Sequence, residues 1–195
     1  MRLPRRWTLC CILGMALGGI HAQQPQPVAP PPNPSEEEPS RDDTIKFIGE
    51  KLGALGQIFY AGYVHDNSSG DEITSRYSAR VTNVTADAAH GSVDFHWKEW
   101  RDGKILADHD ARIQFKEVEK ILVMPREQDI HEKMAAAGHP DRSARVEPPI
   151  FVLKVAMLRG VRHDFYFTDE EMADRVAKAM AQAVELCGGG GKEPF

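Results

Sequence analysis

Metal and acid–base chemistry leave recognisable spacings, and this 195-residue chain offers few of them. His131-Glu132 followed by His139 is the nearest approach to a metal motif. A helical zinc pair needs its second histidine four residues after the first, so that both imidazoles share one face. Position 135 is Ala, and Gly138 with Pro140 breaks the helix before His139 can stack, so the segment reads as a solvated loop. His109 is the more informative histidine, because Ile105, Ala107, Ala111, Ile113 and Phe115 alternate with it and are apolar. An inward imidazole in that setting is either a core residue with one hydrogen-bond partner or a ligand or catalytic base in a pocket. No Ser, and no Cys outside the leader, is placed by spacing to serve it as a nucleophile. Asp108 and Asp110 lie two apart on the polar face of the same strand, which is solvation rather than paired-carboxylate catalysis. Gly188 to Gly191 follows a helix and precedes no other, so it reads as a tail and not as a phosphate cradle. No pattern calls for a metal or a cofactor. Trp100, expected to point outward beside a hairpin turn, has the chemistry of an interface anchor, unless Lys104 covers it through a cation–π contact.

Composition narrows the address and the partner class. Arg2, Arg5 and Arg6 precede an apolar run from Trp7 to Ile20, and Ala22 offers a small residue at a cleavage point. Residues 1–22 therefore read as a signal peptide, which places the chain in the periplasm or outside the cell. The run is shorter than the about 20 residues of a membrane span, and only an uncleaved signal would leave a membrane tether. Its removal takes three arginines and no acid from a net charge of −5, leaving −8. A nucleic-acid binder or anionic-membrane binder would carry a basic excess instead. Cys187 is the sole cysteine outside this leader, so no intramolecular disulfide is expected, and its place on an apolar helix face suggests a buried structural thiol. Residues 23–42 are proline-rich and end acidic, a composition that stays extended and serves as a linker.

The elements that must position these groups lie in a globular domain over 43–195. Asp42 or Asp43 caps a helix through about Leu55, with Ile45, Phe47, Ile48 and Leu52 apolar and Gly49 and Gly53 weakening it. Gln57 to His65 is apolar on both alternating sets, the pattern of a strand covered on both sides, here by that helix. After a turn at Asp66 to Gly70, Ile73, Tyr77, Ala79 and Val81 share one strand face. Between Gly91 and Phe115 a three-residue loop, Arg101-Asp102-Gly103, pairs Trp97 with Ala107, Phe95 with His109 and Val93 with Ala111. The same register sets His96 opposite Asp108 and Trp100 opposite Lys104. Val118, Ile121 and Val123 mark a strand stopped by Pro125. Pro125 to Pro149 holds a short helix near Gln128 to Ala137 and no strand, which suggests a functional or disordered loop. Pro149 to Ala156 and His163 to Phe167 are further strands. Thr168 then caps a helix with Glu171 completing a capping box; Met172, Ala173, Val176, Ala177, Met180, Ala183, Val184 and Cys187 form its apolar face, and Gly188 ends it.

The tally is an α+β fold: a bent antiparallel barrel or sheet of about seven strands, a short N-terminal helix and a capping C-terminal helix. Over about residues 57–187, on the strand count and on HDFYFTDEEMADRVAKAMAQAVELC, the chain resembles the pleckstrin-homology-like superfold. The same ending resembles a kind of exported bacterial domain that carries no activity with it. A cystatin-like helix-on-sheet arrangement is the structural rival. The first resemblance implies a small bent barrel plugged by its last helix, used by many members to dock peptides or proteins. Lipid-binding members use a basic first hairpin loop, whereas HDNSSGDE here is acidic, so phosphoinositide binding is not expected. The reading is an exported, non-enzymatic interaction module of the cell envelope whose partner is a protein or peptide. It would act through a sheet edge or the Pro125–Pro149 loop, with Trp100 and His109 as candidate binding residues. The alternative is a small-ligand carrier or hydrolase-like enzyme with a pocket containing His109.

Overall fold

Strands that alternate apolar and polar residues bury one face each, and here they sort into two sheets rather than one closed one. The computed structural model describes residues 39–189; the leader and most of the linker lie outside them. β1 (Gln57–Asp66), β2 (Glu72–Asp87), β3 (Ser92–Arg101) and β4 (Lys104–Gln114) form an antiparallel meander. β5 (Val118–Pro125), β7 (Phe151–Met157) and β8 (Arg162–Phe167) make a second sheet. Between β5 and β7 the chain forms α2 (Arg126–Ala136) and returns to the first sheet as β6 (Arg142–Glu147), which pairs with β1. The sheet orders are β4-β3-β2-β1-β6 and β5-β7-β8. The α+β class with its antiparallel sheets and C-terminal helix is as expected; the barrel is not, since β4 and β8 are both left as edges.

The core lies where the inward faces meet. Ile58, Tyr60, Ala79, Val81, Val93, Phe95 and Ile113 come from the first sheet, and Ile121, Leu153, Val155 and Phe165 from the second. At Asn83 (φ 53°) an extra residue bulges out of β2, which reverses the alternation and turns Val84 and Ala86 toward α1 (Arg41–Gly53). α3 (Glu170–Leu186) packs on the second sheet and along α1, with Ala173, Val176, Met180, Ala183 and Val184 buried. Burying the three larger of these contributes roughly 1.5–3 kcal/mol each. The helix is a wall of the core and not a plug in a barrel.

Several local expectations are corrected. The β3–β4 hairpin closes on a two-residue turn, Asp102 (φ 50°) and Gly103 (φ 77°), the conformation of a type I′ turn. Leu106 is then an extra residue in β4, so Trp97 pairs with His109, Phe95 with Ala111 and Val93 with Ile113. Turn and bulge together shift the register by two from the expected one, which keeps the side chains from Ala107 onward on their expected face. Ile105, before the bulge, turns outward beside Trp100 and is 56 % exposed, a correction to its expected inner setting. β1 is covered on one side only: Phe59 is 63 % exposed, because α1 packs against β2 and α3 instead. Ser40 caps α1 through Asp43 N–H, and Asp169 caps α3 by accepting from Glu171 N–H at 3.0 Å, a role expected of Thr168. The Pro125–Pro149 stretch is ordered as α2 and β6, a strand beyond the seven expected.

Candidate functional site

Among the described residues β8 has no strand partner on its outer side, and the side chains of β3, β4 and α2 converge there on a cleft of about 310 Å³. Phe95 and Trp97 of β3 and Tyr166 of β8 supply its aromatic wall. The two rings of Phe95 and Phe165 lie 5.1 Å apart, and Trp97 meets Tyr166 at 5.7 Å, so the wall is held by core packing. Glu99 continues the inward face of β3; His109 comes from β4 and His163 from β8. Lys154, Arg162, Asp164 and the α2 residues Arg126 and Lys133 complete the lining.

A single carboxylate organises the cations. Asp129, on α2, is fully buried; Lys154 Nζ donates to it at 2.5 Å, Lys133 Nζ at 2.9 Å, and Arg126 forms a third ion pair with it. Arg126 and Asp129 sit three residues apart, and Asp129 and Lys133 four, so one helix face holds the ladder. Lys133 also lies 3.5 Å from Asp164. Burial alone would raise the Asp129 carboxyl; hydrogen bonds from Lys154 and Lys133 and the Arg126 charge outweigh it and hold the group below its ordinary value. Arg126 is 7 % exposed and lies over the rings of Tyr60 and Tyr166, 5.8 and 5.1 Å from their centroids. Its Nε and the Tyr60 hydroxyl are buried without a hydrogen-bond partner among the described residues. Tyr166 Oη donates to Glu99 at 3.4 Å, yet burial still pushes the Glu99 carboxyl up despite the nearby Arg126. Burial also raises the Tyr60 hydroxyl to about 12 and lowers His163, with the neighbouring His109 adding to the latter. Among the described residues the cleft is lined by acid–base and ion-pairing groups and by the Tyr166 phenol, with no Ser, Thr or Cys.

His109 is placed at this cleft but is exposed, where an inward core position was expected. Alternation gives its face correctly; coverage is missing because β4 is an edge strand with no described strand beyond it. Trp100 is on the outer face as expected, half-buried, and the covering cation is Lys98, with Nζ 5.4 Å from the ring, in place of Lys104. The two-residue turn sets Lys104 opposite Arg101, whereas Lys98 sits two residues before Trp100 on the same face. Trp100 and His109 are therefore on opposite faces of the sheet and do not form one site. His96 bridges Asp108 (3.0 Å) and Asp110 (2.9 Å) on that outer face, its register partner being Asp110. His131 is on α2 and His139 in the turn beyond it. Cys187 is half-buried against Gly91, and burial raises its thiol.

The Asp129 cluster escaped the sequence reading, although two signals for it were present. Lys154 is the lone charge in the run Phe151–Met157, and Arg126, Asp129 and Lys133 share helical spacing. Compared with known proteins, the chain matches no family model, no curated protein and no solved structure.

Proposed function

We propose that this chain is an exported, non-enzymatic docking module that presents the outer face of its five-stranded sheet to an acidic, apolar partner segment. The observation that carries this is a row across four strands. Phe59, Ser78, Trp100 and Ile105 are consecutive cross-strand partners, and Phe59 and Ile105 are 63 % and 56 % exposed. Arg76 and Arg80 flank Ser78 two residues to either side, so their side chains share this face. Among the described residues, no carboxylate lies within 4.0 Å of either guanidinium. An apolar row between two unpaired arginines is complementary to an apolar or aromatic side chain with an acid on each side. Trp100 is the anchor by residue type, at the middle of the row; Lys98, which lies over its ring and pairs with Asp108, leaves the indole half-exposed. The β1–β4 meander, second sheet and final helix support a likeness to an opened pleckstrin-homology-like domain within this proposal. Export and a protein or peptide partner belong to the same proposal.

The test is selection from a displayed random-peptide library with residues 39–195, followed by titration of the selected peptides. Sequences with an aromatic or aliphatic residue between acids are expected, their affinity falling at least about tenfold in W100A and in R76Q/R80Q and weakening with salt. Selected peptides that bind W100A and R76Q/R80Q as well as the parent refute the reading.

A second reading, a small-ligand carrier, has its own support in the cleft that reaches His109 beside His163 and Glu99.

A further inference from the structure

Charges inside a partly closed cleft are weakly screened, so an imbalance among them selects the charge of whatever enters. Arg126, Lys133, Lys154 and Arg162 bring four cations to the cleft, against the three acids Asp129, Asp164 and Glu99. One positive charge is left over in a chain of net charge −5. Asp129 is already divided among three of the cations. Arg126 is more than nine-tenths buried, lines the cleft, and has an Nε with no partner among the described residues. A buried donor of that kind is costly to leave unmade.

We propose that the cleft is a binding site for a small monocarboxylate with a flat apolar body, its carboxylate held by Arg126 with Lys133 and Arg162. This rests on the carrier reading and names its ligand class. A single negative charge balances the surplus; a dianion overshoots it. The aromatic wall of Phe95, Trp97 and Tyr166 fits an apolar body, and about 310 Å³ is roughly ten waters' share of liquid volume, enough for a benzoate-sized molecule. Glu99 competes with the ligand for Arg126, so the ligand's carboxylate takes over a role the protein's own acid fills poorly.

Benzoate, benzamide and benzylamine have the same ring and differ in charge, which separates the two levels of the reading. Each is titrated into the protein while the imidazole resonances of His109 and His163 and the indole resonance of Trp97 are followed by NMR. Saturable shifts with benzoate are expected, with benzamide at least about tenfold weaker and benzylamine weaker still. Lys133→Gln, at the most exposed of the three cations on Asp129 (side chain 55 % exposed), is expected to weaken benzoate several-fold in protein whose amide spectrum shows the fold retained. Glu99→Gln is expected to tighten it several-fold. Benzamide binding as well as benzoate overturns the carboxylate assignment and leaves the carrier reading standing. Absence of saturable shifts with all three overturns both. Benzoate shifts that saturate but are unmoved by either substitution place the anion elsewhere and overturn the assignment.

Discussion

Asp129 shows how one residue type in one place sets the chemistry around it. A fully buried carboxylate is tolerable only if its charge is compensated, and here three cations do so. Removing one member of such a network strands the others, at about 3–5 kcal/mol. D129N is therefore expected to cost about that much at pH 7 in a urea titration. The pH dependence follows from the sign of the shift. The folded chain keeps this carboxylate ionised to lower pH than the ordinary 3.8, so its contribution is complete above 3.8 and is lost as pH falls through the lowered folded value. The gap between wild type and D129N should shrink in that acid range, and a gap that stays constant there excludes the ion pairs as its source. Glu99 runs the other way. Burial raises its folded value above the ordinary 4.5, so its contribution is present below 4.5 and is lost as pH rises through the folded value. E99Q, which keeps an acceptor for Tyr166, should raise Tm at neutral pH and lose that advantage near pH 4. An E99Q protein less stable than wild type at pH 7 would show that the Arg126 attraction wins.

Among the elements, α1 shows what a helix gives up to pack closely. Ala is favoured over Gly in a helix interior by about 1 kcal/mol. A Cβ on Gly49 would meet Ala86 Cβ at 2.8 Å, however, and overpacking costs about 1–3 kcal/mol. The close approach wins, so G49A should lower stability by about 1 kcal/mol. G53A meets Val84 at an ordinary 3.7 Å and should be neutral or stabilising by up to about 1 kcal/mol. Paired thermal melts decide it: a gain from G49A would mean that Ala86 yields at no cost. On α3, M180A removes a fully buried side chain and should cost about 2–5 kcal/mol, whereas K178A on the exposed face should stay within about 0.5. In the hairpin, the type I′ turn and the Leu106 bulge cancel in parity, which is why the face assignment survives an altered register from Ala107 onward and fails at Ile105.

At the scale of the described unit, the decisive feature is the crossing between sheets. The chain leaves the second sheet after β5, lays α2 beside β7 and returns to pair β6 with β1. Glu127 Oε1 accepts from Val146 N–H at 2.9 Å, and Asp129 reaches Lys154, so α2 is tied to both sheets. Amides of α2 and β6 should therefore exchange with hydrogen as slowly as those of β1, in one cooperative unit. Loop-like exchange rates over 126–147 would show that the crossing is not part of the core.

Local pattern is enough to reveal the α+β class, both long helices, the face of nearly every strand and the outward setting of Trp100. The reason is that periods of 2 and 3.6 residues are written into the chain itself. Which strand ends up at an edge is not local. His109 has an apolar neighbourhood in sequence and an exposed place in the fold, because no described strand pairs beyond β4. The cleft likewise joins residues from β3 to β8, and only the meeting of two sheets and α2 brings Arg126, Glu99 and His163 within reach of one another. Periodicity determines which way a side chain points; tertiary structure alone decides what it finds there.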